Sequence, residues 1–185
     1  MDLEKSLLAL LKEGGFILYA RHGEAKVGTD QPYFNFQNCN TQRNLSELGR
    51  SEAIYYGQML RYLQIPISSP IVASPFCRTI ETAQLAFPNI NVQIDAFWYN
   101  IFKLGGNISN AEQHKILTDL RAVLALKPPQ GTNKVIIAHS FPAGIGLGKI
   151  SNLGTVIVKP QGQGHGYEIV QQLALADLAQ LASSE

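Results

Sequence analysis

The chain has two cysteines in 185 residues, Cys39 and Cys77, too few for a disulfide scaffold, and neither sits in a Cys-x-x-Cys metal pair. No apolar run approaches the ~18 residues that span a bilayer, so no membrane partner is expected. The start, Met1-Asp2-Leu3-Glu4-Lys5, lacks a basic stretch followed by an apolar one. It does not read as a secretory signal, so a cytoplasmic location is the default expectation, with a secreted or periplasmic form left open. A formal net charge of +1 gives no electrostatic reason to expect nucleic acid. Several chemistries lack their signatures. Neither cysteine has an arginine six residues on, as a Cys-x5-Arg phosphatase needs. A Gly-x-Ser-x-Gly elbow is absent, and so is a P-loop lysine motif. No His or Cys pair has metal-ligand spacing, so the sequence requires no metal or cofactor.

What is present suits one domain over residues 1–185, with an ordinary globular composition. Helix and strand signals alternate. A first helix is expected over Asp2 to Lys12, with Leu3, Leu7, Leu8 and Leu11 on one face, stopped by Gly14-Gly15. A buried strand, Phe16 to Ala20, follows. The polar stretch Ala25 to Arg43 is too long for a plain connection and reads as a functional loop. Ser46 is the expected cap of a helix carrying Ala53, Tyr56, Gly57 and Leu60, ended by Pro66. A strand from Pro70 to Ala73 leads to a helix that begins near Arg78 and ends before Pro88. Val92 to Ile94 is a third strand, followed by the aromatic segment Phe97-Trp98-Tyr99 and a Gly105-Gly106 loop.

Ser109-Asn110-Ala111-Glu112 reads as a capping box for a helix bearing Ile116, Leu117, Leu120, Val123 and Leu124, finished by Pro128-Pro129. Lys134 to Ala138 is a strand ending at His139-Ser140. Thr155 to Val158 and Gly166 to Val170 are short strands, and a small helix closes the chain. This alternation predicts an α/β three-layer sandwich with a mainly parallel central sheet flanked by helices. Ligand crevices of such sheets lie beyond the carboxyl ends of the strands. Arg21-His22, Ser74 to Arg78 and His139 all fall there.

Those residue types point to phosphate. A neutral imidazole at His22 is able to attack phosphorus and carry a covalent phosphoryl group. Arg21 and Arg78 supply forked donors for the non-bridging oxygens, and their charges disfavour an imidazolium at His22. His139 would donate to the same oxygens when protonated. The bland alternative, strand-end histidines satisfied by backbone, loses ground because two histidines and Arg78 converge.

Arg21-His22-Gly23-Glu24, Leu45-Ser46-x-x-Gly49, Ser74-Pro75-x-x-Arg78-x-x-Glu81-Thr82-Ala83 and Ala138-His139 together resemble the histidine phosphatase superfamily. That superfamily includes phosphoglycerate mutases, phosphohistidine phosphatases and histidine acid phosphatases. The stretches from Asn38 to Ser46 and from Ser74 to Arg78 look like a branch of small bacterial phosphatases. The resemblance runs from about Gly14 to Val170. It implies a phosphoglycerate mutase-like fold and a metal-independent phosphatase working through a phosphohistidine on His22. Arg21, Arg78 and His139 would complete the pocket, with Arg43, Ser140 and Glu24 as substrate contacts. The partner would be a small phosphorylated substrate or a phosphohistidine protein. A non-catalytic phosphate-binding relative and a phosphomutase are the alternatives, and the oligomeric state is not legible.

Two departures matter. Mutase-type relatives carry a Leu-x-Glu acid after the third motif, where this chain has Asp95-Ala96-Phe97-Trp98-Tyr99-Asn100. The acid-phosphatase branch has His-Asp where this chain has His139-Ser140. The proton donor is therefore unassigned, with Asp95 and Glu24 as candidates beside bland roles as turn and loop-tying residues. Without a donor, substrates whose leaving groups need little protonation are expected, such as phosphoramidates or acyl phosphates. Glu81 is expected to tie its helix to neighbouring backbone; Lys26, His114 and His165 read as surface or turn residues. Trp98 and Tyr99 read as buried aromatics. Cys39 and Cys77 both belong near the crevice; two buried thiols is the preferred reading and a bridge, which would fit an oxidising compartment, the alternative.

Overall fold

The computed structural model describes residues 6–184. Its organising strand, β1 (Ile17–Arg21), is apolar up to Arg21 because both sides of the sheet it occupies are covered. With β2 (Ile71–Ala73), β3 (Val92–Ile94), β4 (Lys134–Ala138), β5 (Thr155–Pro160) and β6 (Tyr167–Leu173) it forms one sheet, in the order β3-β2-β4-β1-β5-β6. β3, β2, β4 and β1 run parallel, while β5 is antiparallel to both β1 and β6. Successive side chains of a strand point to opposite faces. Leu18 and Ala20 of β1 and Val135 and Ile137 of β4 therefore meet one layer. That layer contains α1 (Leu7–Glu13), α2 (Glu47–Tyr62) and α3 (Cys77–Ala86), through Leu8, Leu11, Ala53, Tyr56, Leu60, Ala83 and Ala86. Ile17, Tyr19, Ile136 and Ala138 meet the other, built from Trp98, α4 (Tyr99–Lys103) and α5 (Asn110–Leu124). The architecture is the mainly parallel three-layer α/β sandwich that the alternation of elements predicts.

Helix starts follow their caps. Ser46 Oγ accepts from the Gly49 amide at 3.0 Å and Ser109 Oγ from the Glu112 amide at 3.1 Å. The Glu112 carboxylate pairs with Lys103. The first helix begins at Leu7, with Ser6 Oγ accepting from Ala9 N at 3.1 Å; the expectation for residues 2–5 lies outside the described residues. One segment departs from expectation: the aromatic segment continues into α4, where Trp98 and Ile101, three residues apart, bury the same side. The small helix expected at the C-terminal end is a 3₁₀ helix, Leu175–Ser184. Three residues per turn align Leu178 and Leu181, both buried, which an α-helix would hold less squarely.

The glycines of two motifs meet backbone to backbone. A Cβ on Gly49 would lie 2.0 Å from the Glu24 carbonyl oxygen, and one on Gly23 would lie 2.4 Å from the Gly49 carbonyl oxygen. Neither neighbour is a flexible side chain that could swing away. The Leu-Ser-x-x-Gly motif is thus the surface against which the turn after His22 is pressed. Gly49→Ala is expected to lower stability by at least about 2 kcal/mol, roughly 5 °C in Tm, through overpacking. An unchanged melting curve would mean that the two backbones are not held this close.

Candidate active site

β1, β4 and β2 are neighbours whose carboxyl ends lie on one sheet edge, and each delivers one part of a cleft. The cleft has a volume of about 460 Å³ and is lined by Arg21, His22, Arg43, Arg78, Phe102, Lys103, Gly105, Gly106, Ile108, His139 and Ser140. It brings together Arg21, His22, Arg78 and His139, with Arg43 and Ser140. Glu24 is not among its lining residues. The Glu24 carboxylate accepts from Ser46 Oγ at 2.6 Å, and its amide donates to Glu52 Oε2 at 2.8 Å, so it binds the turn to α2. Asp95 does not border the cleft either; its Oδ1 accepts from the Phe97 amide at 2.9 Å and caps the short turn after β3. Both carboxylates take the bland roles weighed against the catalytic ones.

His22 follows β1 directly, its amide bonded to Ala138 O of β4 at 3.1 Å. Its ring is buried, and Nδ1 lies 2.7 Å from the Gly23 carbonyl oxygen. A carbonyl only accepts, so Nδ1 carries the proton and Nε2 keeps its lone pair. Burial holds this imidazole well below its ordinary pKa; Arg78, Arg21 and Arg43 push it further down, against the Gly23 bond. The flanking arginines thus act in the expected direction, but desolvation is the larger cause of the shift.

His139 ends β4. Tyr19, inward from β1, donates its hydroxyl to the His139 carbonyl at 2.8 Å and accepts from the His139 amide at 3.2 Å. The His139 Nε2 lies 2.8 Å from Ser74 Oγ, beyond β2. Its ring packs against Phe76 at 5.0 Å and faces His22 at 5.7 Å between centroids. Burial, then His22, Arg78 and Arg21, hold His139 neutral as well. Ser140 lines the cleft, but its hydroxyl oxygen already accepts from the Ile150 amide at 2.8 Å.

Arg78 is 2% exposed and stands over the Phe76 ring at 4.2 Å. Its carboxylate partner is Asp30 of the long loop, at 2.8 Å from Nη1 and 3.3 Å from Nη2. The loop reaches α3 in two further ways. Gln42 Oε1 accepts from the Cys77 amide at 2.8 Å, and Cys39 is disulfide-bonded to Cys77, with Cα atoms 5.8 Å apart. The preference for two buried thiols is overturned, because the loop folds back onto the residue beside Arg78. Such a bond fits an oxidising compartment and sits awkwardly with the cytoplasmic default. Sequence reasoning placed Ser74 to Arg78 at the crevice but missed Asp30, Tyr19 and Phe102 as parts of the site. An aspartate in a polar loop and aromatics beside a strand carry no local signal; only their place around Arg78 and His139 identifies them.

No protein-family model matches the chain, and no curated protein matches it. Solved structures do. The protein histidine phosphatase SixA complexed with tungstate is 14% identical, with a TM-score of 0.55, covering 88% of this chain and 99% of that one. A mutant phosphoserine phosphatase of Entamoeba histolytica in complex with phosphoserine is 16% identical, with a TM-score of 0.55 and coverage of 86% and 97%. A mycobacterial glucosyl-3-phosphoglycerate phosphatase bound to VO3 is 18% identical, with a TM-score of 0.57 and coverage of 87% and 100%. At these identities the likeness is one of fold, the α/β fold that these phosphatase structures share.

Two measurements check the site's physical state. An unfolded histidine protonates near pH 6.5, whereas His22 and His139 resist protonation in the folded chain. The unfolded state therefore binds more protons as pH falls below about 6.5, and stability should drop in that direction. Replacing both histidines by glutamine should flatten the decline of Tm between pH 8 and pH 5; an equally steep decline would show that these rings are not held neutral. The disulfide closes a loop with a sequence separation of 38. Chain entropy then assigns it about 4 kcal/mol, so reduction should lower Tm markedly. Thiol titration of the denatured, unreduced protein should find neither Cys39 nor Cys77 free, and two free thiols would rule the bond out.

Proposed function

We propose that the chain is a metal-independent phosphatase that hydrolyses a phosphomonoester or phosphoramidate through a phosphohistidine on His22. The observation that carries this reading is the Nε2 lone pair of His22, fixed by the Nδ1 bond to Gly23 and facing a cleft lined by Arg21, Arg43, Arg78 and Lys103 but no carboxylate. Nε2 attacks phosphorus in line, the bond from phosphorus to the leaving atom breaks, and the phosphoryl group rests on the imidazole. Arg21 and Arg78 bind the non-bridging oxygens, whose charge they stabilise through transfer. His139 becomes a donor to the same oxygens once the dianion is bound. Water then attacks phosphorus, the P–N bond breaks, and His22 returns to its neutral tautomer. The known structures with this fold support the reading, since those compared are phosphatases, one of them a protein histidine phosphatase.

The absence of a carboxylate from the cleft lining favours leaving groups that depart without an acid. It also motivates the second reading, a non-catalytic phosphate-binding protein with the same pocket. Hydrolysis of p-nitrophenyl phosphate, with EDTA present, separates the two. Wild type is expected to turn over and His22→Ala to lose activity by at least about a thousandfold, as for loss of a covalent nucleophile. Phosphoramidate and aryl phosphate should exceed alkyl phosphates such as glycerol phosphate in kcat/KM. Activity retained by His22→Ala would overturn the mechanism, and a preference for alkyl phosphates would reveal an acid elsewhere. Wild type that binds phosphate through Arg21 and Arg78 but never turns over would favour the second reading.

A further inference from the structure

A guanidinium offers two edges with paired donors, Nη1 with Nη2 and Nη2 with Nε. In Arg78 the first edge is taken. Asp30 Oδ1 accepts from Nη1 at 2.8 Å, Asp30 Oδ2 accepts from Nη2 at 3.3 Å, and the remaining Nη1 proton goes to the Arg43 carbonyl at 3.1 Å. Nε, buried, has no hydrogen-bond partner. An unpaired buried donor on a cation is costly unless a ligand completes it. The Phe76 ring, 4.2 Å from the guanidinium carbon, fixes the plane in which both edges lie. Asp30 is itself located from two sides. Its Oδ1 also accepts from the Arg43 amide at 2.8 Å, and the Cys39–Cys77 bond anchors the loop to the residue preceding Arg78.

We infer that Asp30 is a positioning residue: by occupying the Nη1/Nη2 edge of Arg78 it turns the Nε/Nη2 edge toward the phosphoryl group. The inference rests on the phosphate-pocket reading above and adds to it which donors of Arg78 meet the substrate and what holds them. It assigns Asp30 no part in proton transfer. It also makes a prediction opposite in sign to simple electrostatics. Removing a carboxylate beside an anion pocket makes the pocket more positive and should tighten anion binding. If Asp30 acts by aiming Arg78, its removal weakens anion binding instead.

The test is calorimetric binding of inorganic phosphate and of vanadate to the oxidised protein, with p-nitrophenyl phosphate kinetics alongside. Asp30→Ala is expected to weaken phosphate binding by roughly tenfold or more, with a matching rise in KM, as befits loss of an aligned charge-assisted fork. Asp30→Asn keeps an oxygen for the Arg43 amide and Nη1 while losing the charge, and should fall between wild type and Asp30→Ala. Binding as tight as wild type or tighter in either variant overturns the inference. Should Asp30→Ala fail to fold, Asp30→Asn decides by the same sign. A double-mutant cycle separates aiming from general loop support. Asp30→Ala added to Arg78→Ala should cost nothing more if Asp30 works through Arg78, and additive losses would overturn it. Wild type that binds phosphate without His22-dependent turnover would sink the catalytic reading while leaving the binding arms to decide on Asp30. Turnover with tighter binding in the variants would do the reverse.

Discussion

A full positive charge at a site 2% exposed is the constraint around which this molecule is arranged. Arg78 cannot be buried alone, since an unpaired guanidinium out of water costs several kcal/mol. Its compensation is assembled from distant parts of the chain: a carboxylate from Asp30, a carbonyl from Arg43 and the face of Phe76. Each of the first two belongs to the long loop, so that loop cannot be a floppy connection. The disulfide and the Gln42 bond to the Cys77 amide are what make a long polar segment rigid enough to present a carboxylate at a fixed place. The loop and the helix that carries Arg78 therefore stand or fall together.

The histidines face the opposite requirement. On the proposed reading a nucleophile must be uncharged, and burial first, then the neighbouring positive charges, hold His22 and His139 well below the ordinary pKa of an imidazole. Backbone, not side chain, settles the tautomer of His22, because the Gly23 carbonyl leaves Nδ1 no choice but to donate. Gly23 in turn holds its position because Gly49 lets the two backbones touch. The chain from a helix-start glycine to the protonation pattern of the His22 ring is therefore short and entirely steric and electrostatic.

Much of this was legible in the sequence, for reasons that differ by residue. Ile17 to Ala20 and Val135 to Ile137 announce buried strands because both faces are covered, and Arg21, His22 and His139 stand out as polar groups at their ends. Ser46 and Ser109 mark helix starts through a bond confined to three residues. Asp30 was invisible because its meaning depends on a contact 48 residues away, and the disulfide was underweighted for the same reason. Glu24, part of the Arg-His-Gly-Glu motif and a substrate contact by the resemblance, bonds Ser46 and does not line the cleft. Tyr19 read as one more apolar core residue, while its hydroxyl clamps the amide and carbonyl of His139.

The distribution of carboxylates unites these observations. Of the cations that line the cleft, Arg78 pairs with Asp30 and Lys103 with Glu112, and neither acid is itself part of the lining. Arg21 instead donates to the Ile150 carbonyl and Arg43 to the Gly28 carbonyl. Hydrogen-bond donors are thus concentrated at the cleft, and carboxylates are kept out of its lining. A cleft of this kind also works against acid assistance. A carboxyl group set inside this ring of cations would be held ionised, and an ionised group has no proton to give. Under the proposed function, that leaves substrates whose leaving groups need no proton.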